Sequence, residues 1–395
     1  MTTNTQKISF LALLLMISFA SVNAVLFTPA LPDIERFFRI SDSAAEKTIT
    51  WFLIGYALGQ LLYGPLANRF GRKKALFAGI GLQIISSFMC VASGLVHTYW
   101  LLVVARLFLA LGSGVGLKMT FTLVNECYPT KIATQKISYL MLAFAITPGL
   151  AIALGGLLNS YLGWMSCFYA GAVYGILLFF LVIRLPETAT QLDYHALEIH
   201  HLIAGYQIQF KNISLVAGGL LMGMASSFIY VFAALSPFIA INLLQMTSAQ
   251  YGIYSILPSA GLLIGSLCSA QFAKKYPPKT GILYGTLLTI AATIWMLIAV
   301  WIKQPPLISL FLPMILSYFG LALVFPNAST LAMSQITDKA HGSAVMNFIN
   351  MGLVTVIVLS LEWFKTTTLL LPVIYLLIGL AMLVIYCLKI QSLPK

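Results

Sequence analysis

Residues 59–74 read Gly59-Gln60-Leu61-Leu62-Tyr63-Gly64-Pro65-Leu66-Ala67-Asn68-Arg69-Phe70-Gly71-Arg72-Lys73-Lys74. An apolar segment, 47–67, runs without interruption into a cluster of cations around a glycine turn, and a second apolar segment, 74–95, leaves it. Each segment has about the 20 residues that a helix needs to cross ~30 Å of hydrocarbon. The pattern is that of two membrane-spanning helices joined by a short basic turn.

Composition extends this reading to the whole chain. Of 395 residues, 60% are hydrophobic and 8% charged, against about 25% charged in soluble domains. Too few charges are present to cover a surface in water. Further apolar runs fall at 8–31, 99–125, 135–158, 164–184, 212–238, 248–272, 281–302, 308–333, 341–362 and 367–388, which makes twelve spans. The runs lack period-2 alternation and are about twice the length of a barrel strand, which excludes a β-barrel.

The net charge of +12 reflects topology. With a cytoplasmic N-terminus, Lys7, Arg69, Arg72, Lys73, Lys74, Lys131, Lys136, Arg184, Lys211, Lys274, Lys275, Lys279, Lys339, Lys389 and Lys395 fall inside. Arg36, Arg39, Lys47, Lys303 and Lys365 fall outside, and Arg106 and Lys118 within a span. The asymmetry places both termini in the cytoplasm and gives no reason to expect a nucleic-acid partner. Lys7, the run Ile8–Ala20 and Ser21-Val22-Asn23-Ala24 mimic a secretory signal. The apolar run continues through Val25, Leu26 and Phe27, so it reads as the first span.

The long polar connection 185–211 divides the chain into 1–184, a linker, and 212–395. It carries Glu187, Asp193, His195, Glu198, His200 and His201, and Leu197–Phe210 has the pattern of an amphipathic surface helix. Its histidines lack metal-ligand spacing, so no metal or other cofactor is expected. Cys90, Cys127, Cys167, Cys268 and Cys387 read as buried thiols. Ala67–Lys73 ends the second span and Ala273–Lys279 the eighth, at a 206-residue offset (273 against 67), which suggests a duplicated six-helix unit.

The 59–74 segment resembles the helix 2–3 motif of the major facilitator superfamily, in particular the bicyclomycin-resistance (Bcr/CflA) branch of drug:proton antiporters. Thr28-Pro29-Ala30-Leu31-Pro32, Arg106–Gly112, Pro148–Gly156, Gly163-Trp164, Leu185-Pro186-Glu187-Thr188, Ser236-Pro237-Phe238, Pro326-Asn327-Ala328 and Gly342-Ser343-Ala344 match in order. The resemblance implies an all-α membrane protein whose twelve helices form two six-helix bundles rocking about a central cavity. It further implies a monomeric, multi-pass inner-membrane transporter that moves a small molecule by alternating access. Proton-coupled multidrug-like efflux is the expected activity. Gly64, Asn68, Arg69, Gly71, Arg72, Pro148, Gly155 and Gly156 would then belong to the gates.

Departures from the family pattern shape the rest. Val25, with Asn23 nearby, stands where an acidic residue is usual, Asn68 where an Asp is usual, and Phe121 and Asn125 where arginines are usual. Glu126 and Tyr128 keep the acidic-x-Tyr pattern. The expectation is that no carboxylate lies deep in the hydrocarbon, leaving Asp33 and Glu126, near span ends, as proton-coupling candidates. Arg106 and Lys118 lie ~10 Å inside opposite ends of one span. Intramembrane charges are costly and mark function, so both are substrate-binding candidates, with Asn23, Tyr56, Gln60, Tyr230, Asn327 and Asn347. A cationic cavity favours an organic anion, such as a carboxylate metabolite or siderophore, as the alternative substrate. A transporter-like receptor without turnover is the non-transport alternative. No nucleophile, acid–base pair or filter loop suggests an enzyme or a channel.

Overall fold

A computed structural model describes residues 8–189, 192–193, 196, 206–334, 336 and 339–391. Lys7, His195, Glu198, His200, His201, Lys395 and most of the Leu197–Phe210 stretch lie outside the described residues, as do the side chains of Lys131 and Lys339. Among the described residues, twelve helices are long and apolar enough to cross a membrane. They are α1 (Phe10–Phe38), α2 (Asp42–Phe70), α3 (Arg72–Leu95), α4 (Tyr99–Cys127), α5 (Gln135–Leu162) and α6 (Met165–Ile183), followed by α7 (Ile213–Leu243), α8 (Ser248–Phe272), α9 (Pro278–Trp301), α10 (Leu307–Met333), α11 (His341–Leu361) and α12 (Leu370–Ile390).

Local chemistry sets the ends. Ser41 caps α2, its hydroxyl accepting from the Ala44 amide at 3.2 Å, and Asn212 caps α7 through the Leu215 amide at 3.0 Å. Thr247 and Gln250 form a reciprocal capping box on α8. Gly71 turns the chain between α2 and α3 at φ 101°, a conformation that only glycine adopts without strain. The Ser41 cap starts α2 five residues earlier than the apolar run suggests, which draws Asp42 and Glu46 into the helix.

In the first half α2 packs on α4, α4 on α3, and α3 on α6; in the second, α8 packs on α10, α10 on α9, and α9 on α12. These contacts are made backbone to backbone. A Cβ on Gly79 of α3 would lie 2.8 Å from the Gly112 carbonyl oxygen of α4, and one on Gly112 would lie 2.5 Å from that of Gly79. Gly285 of α9 and Gly320 of α10 face each other in the same way, at 2.5 and 2.6 Å. Gly55 sits on the Leu107 carbonyl as Gly261 sits on that of Ile315. The second member of each helix pair follows the first by 206 residues in one helix and 208 in the other (285 against 79 and 261 against 55; 320 against 112 and 315 against 107). The offset seen in the basic turns thus recurs in the packing, as a duplicated unit requires. Between bilayer helices no hydrophobic drive operates, so close approach at small residues supplies the attraction.

The halves meet along two seams, α2 with α11 and α5 with α8. Two sequence expectations need correction. Cys268 and Cys387 are exposed, while Cys90 and Cys167 are buried; the outer face of a membrane helix is apolar, so composition does not separate it from the core. The reading that names Asp33 and Glu126 as the carboxylates near span ends omits Glu46, which is buried one turn inside α2.

Gly79→Ala and Gly285→Ala are expected to lower stability by about 1–3 kcal/mol through overpacking. Gly81→Ala, with nothing within 4 Å of the added carbon, should leave it unchanged or slightly raised. Thermal unfolding of the three variants in detergent checks this.

Candidate functional site

The central feature of the first half grows from a break in α1. Pro29 has no amide hydrogen, so it cannot close a helical bond to the Val25 carbonyl. The Thr28 hydroxyl donates to that oxygen instead, at 2.9 Å, and the chain passes through a 3-10 turn at Thr28–Ala30. The break also turns the carbonyls of Asn23 and Ala24 outward. Arg106 of α4 fills the space: its Nη1 donates to the Asn23 carbonyl at 2.7 Å and its Nη2 to Ala24 at 3.3 Å, while Nε reaches the Thr48 carbonyl of α2 at 3.2 Å. The guanidinium carbon lies 3.9 Å from the Phe27 ring centroid and 4.4 Å from that of Phe52. The residue is 1% exposed.

Asn23, which sequence reading offers as a substrate contact, is tied into this core. Its amide donates to the Phe19 carbonyl at 2.8 Å, and its Oδ1 accepts from Gln83 at 2.8 Å. Gln83 also donates to Ser87 and to the Gly171 carbonyl of α6. The void beside Arg106 measures about 10 Å³, room for no more than one water.

A second group lies further along α2. Gln60 is 4% exposed, and its side-chain amide reaches the Tyr56 side chain. Lys118 of α4 points its ammonium at the Gln60 carbonyl, at 3.4 Å, in the space that Gly64 leaves by lacking a side chain. Tyr56 neighbours Gln60 and, across the halves, Tyr230 of α7. Tyr230 in turn neighbours Tyr318 of α10, which neighbours Tyr251 of α8. Tyr251 bonds the Ser236 hydroxyl at 2.7 Å. Tyr318 and Tyr251 escape sequence reading, because an isolated tyrosine in an apolar run carries no signal of its orientation. Asn327 instead donates to the Leu323 carbonyl at 2.8 Å and packs against Gly281 of α9. Asn347 donates to Ser343 of its own helix at 3.0 Å.

At the end of the bundle holding the α1–α2 connection, the halves are stitched together. Asn242 of α7 donates to Glu35 at 3.2 Å, Ser43 to the Glu362 carbonyl at 3.2 Å, and Lys47 meets the Glu362 carboxylate at 3.7 Å. Asn159 of α5 donates to both Asp33 and Ser248 of α8, at 2.5 and 3.1 Å. Asp33 also pairs with Arg36 at 2.9 Å. Below this layer Gly155 lies on the Leu26 carbonyl of α1 and Gly156 on the Ser248 carbonyl of α8. One turn of α5 thus touches both halves, with Pro148 two turns back inside the same helix. A depression of about 540 Å³ opens beside Glu35, Arg36, Asn242 and Thr247.

The opposite end is organised within the first half. Arg72 pairs with Glu126 at 2.7 Å and donates to Asn68 Oδ1 at 3.0 Å and to the Ala67 carbonyl at 2.9 Å. The Thr188 hydroxyl donates to Glu126. Arg69 ends α2 with its guanidinium 6.0 Å from the Phe70 ring centroid. Glu187 caps α3, accepting from the Arg72 amide at 2.9 Å and the Lys73 amide at 3.1 Å, over the space that Gly71 leaves. Partial burial raises its pKa, but the backbone amides of Ala189, Arg72, Lys73 and Thr188 outweigh that and hold it below the ordinary carboxylate value. From the linker, the Tyr206 hydroxyl donates to the Leu61 carbonyl of α2 at 3.4 Å.

Arg106→Ala strips three buried carbonyls of their donor and is expected to cost at least ~3 kcal/mol, at roughly 1.5–3 kcal/mol per charge-assisted hydrogen bond; unfolding in detergent measures it. If stability were untouched while transport vanished, Arg106 would be a ligand contact instead. Glu187 has a depressed pKa, so its contribution is present above the unfolded carboxylate value of ~4.3 and is lost as pH falls through the lower folded value. The stability difference between wild type and Glu187→Gln should therefore be full at neutral pH and shrink in acid.

A profile of the Major Facilitator Superfamily matches residues 11–359. Multidrug resistance protein D of Escherichia coli (strain K12) is 25% identical over 351 residues, covering 87% of this chain and 85% of that protein. The chloramphenicol resistance protein CraA of Acinetobacter baumannii is 23% identical, covering 82% and 78%. Among solved structures, a D-xylose-proton symporter superposes with a TM-score of 0.78 at 16% identity, covering 95% of this chain and 96% of that one.

Proposed function

The chain belongs to the Major Facilitator Superfamily, and from that premise we propose that it exports small amphipathic molecules in exchange for protons, in the manner of the Bcr/CflA multidrug carriers. As a family member with bacterial transporter relatives, it is a multi-pass protein of the inner membrane. In the proposed cycle residues 1–184 and 212–395 rock as units joined by 185–211, with both termini in the cytoplasm. The stitched end, at the α1–α2 connection, then faces outward and is closed.

The observation that carries the reading is the pair of sparsely partnered donors on the α2–α4 wall. Among the described residues, the Gln60 amide meets only the Tyr56 side chain, and the ammonium of Lys118 has one long contact. Buried donors left in this way favour a ligand that brings acceptors. Tyr56, Tyr230 and Tyr318 add aromatic faces and hydroxyls for a planar apolar body. No carboxylate is among these residues, so neutral or anionic molecules suit the site better than lipophilic cations. The chloramphenicol that names one relative is a neutral, acceptor-rich aromatic of this kind. A carboxylate metabolite or siderophore is the second reading, favoured by Lys118; Arg106 adds little to it, since each of its three nitrogens already donates to a backbone carbonyl. For protons, Asp33 and Glu126 each sit in one end network, where neutralising the carboxylate would loosen that end.

Proteoliposomes under an imposed proton gradient test this with chloramphenicol, a carboxylate siderophore and tetraphenylphosphonium. Gradient-driven accumulation of either of the first two is expected, falling about tenfold or more in Lys118→Met, a change equivalent to ~1.4 kcal/mol. Preferential accumulation of the phosphonium would overturn the site preference. No flux of any solute, with binding retained, would favour the receptor without turnover.

A further inference from the structure

Glu46 is used by none of the above. It sits one turn inside α2 at the stitched end, 2% exposed, and its Oε2 is buried without a hydrogen-bond partner. Among the described residues no ion pair reaches it. The charges it faces are of its own sign: Asp42 on the preceding turn of α2, and Glu362 at the end of α11. Asp42 is in turn met by Glu35 of α1, which is held by Asn242 of α7. The nearest cations have other partners. Lys47 of α2 meets Glu362, and Arg106 of α4 lies one turn deeper on the Thr48 carbonyl. Tyr99 of α4 donates its hydroxyl to the Ala44 carbonyl. An ionised carboxylate cannot be buried unpaired beside two others without a large loss of hydration energy, whereas the neutral acid can.

Glu46 shares the α2 face of Ser43 and Lys47, both of which meet Glu362 of α11. Glu362 belongs to the second half and Asp42 and Glu46 to the first, and the ties across them are Ser43 to the Glu362 carbonyl and Lys47 to its carboxylate. Parting α2 from α11 would wet Glu46 and remove Glu362 from its side.

We propose that Glu46 is a proton-binding site that latches this gate: with α2 and α11 together it holds a proton, and when they part it gives the proton to the water at that end of the bundle. The same proton is taken up and released on the same side, so the latch sets how readily the gate opens without contributing a transported charge. By linkage, a site that is protonated only when closed makes closure favourable at low pH and opening favourable at high pH. The second unpaired oxygen at the seam, Glu362 Oε1, belongs to the same latch, since its charge disfavours ionisation of Glu46.

The test needs neither substrate nor gradient, so its result is separate from whether the protein exports drugs or exchanges them for protons. Cys127, Cys268 and Cys387 are replaced by serine, and spin labels are placed through Val96→Cys and Lys365→Cys, two exposed positions on the loops of this end. The distance between them is measured in detergent from about pH 5 to pH 9, the range over which buried carboxylates titrate. The wild-type background is expected to lengthen as pH rises, and Glu46→Gln to keep the short distance throughout. Glu46→Asp should retain a pH-dependent opening with a displaced midpoint, a response that a purely structural residue would not give. A wild-type distance that ignores pH, or an unchanged transition in Glu46→Gln, would overturn the proposal. Should Glu46→Gln fail to fold, Glu46→Asp decides: a moved midpoint supports the latch and an unmoved one refutes it.

Discussion

Inside a bilayer, every backbone polar group must find its partner within the protein. Much of the first half follows from one place where the helix cannot supply that partner. Pro29 interrupts α1, and the carbonyls it strands are answered by the Thr28 hydroxyl and by Arg106. Because the guanidinium also reaches the Thr48 carbonyl and lies between Phe27 and Phe52, a local defect becomes a three-helix joint. The cation needs no carboxylate there, since carbonyl dipoles and ring faces solvate it.

The two ends of the bundle are built on different plans. At one, hydrogen bonds and an ion pair cross between the halves. At the other, Arg72, Glu126, Asn68 and Glu187 knot α2, α3 and α4 to the segment after α6 without involving the second half. With Asn68 in place of an aspartate, Arg72 meets a neutral amide oxygen where a carboxylate would make a charge pair. The cohesion of the knot rests more heavily on the Arg72–Glu126 pair and on the amides bound by Glu187. Close glycine contacts occur within each half and also across the α5–α8 seam, where Gly156 lies on the Ser248 carbonyl.

The sequence carried the twelve spans, the internal repeat and the basic turn after α2, because each is written in the residues themselves: apolar length, a fixed offset, a dense cluster of glycine and cations. Orientation around a helix is written far more faintly. Asn23 and Arg106 read as cavity residues by type, and only the break in α1 reveals that they face a packed joint. Tyr318 and Tyr251 are invisible for the same reason. Glu46 was missed for a different one: counting apolar residues starts α2 at 47, whereas the serine cap that sets its first turn lies six residues earlier.

The Arg106 joint also bears on how the chain enters the membrane. An arginine arriving alone in hydrocarbon is strongly disfavoured, and α4 carries one more than a turn from its start. Its acceptors, on α1 and α2, lie earlier in the chain, so they leave the ribosome first. The broken segment of α1 therefore serves as a receiving site already in place when the fourth helix is delivered, and correct insertion depends on the order of synthesis. A circular permutation that placed α4 ahead of α1 would keep every contact of the folded protein and lose that sequence of events.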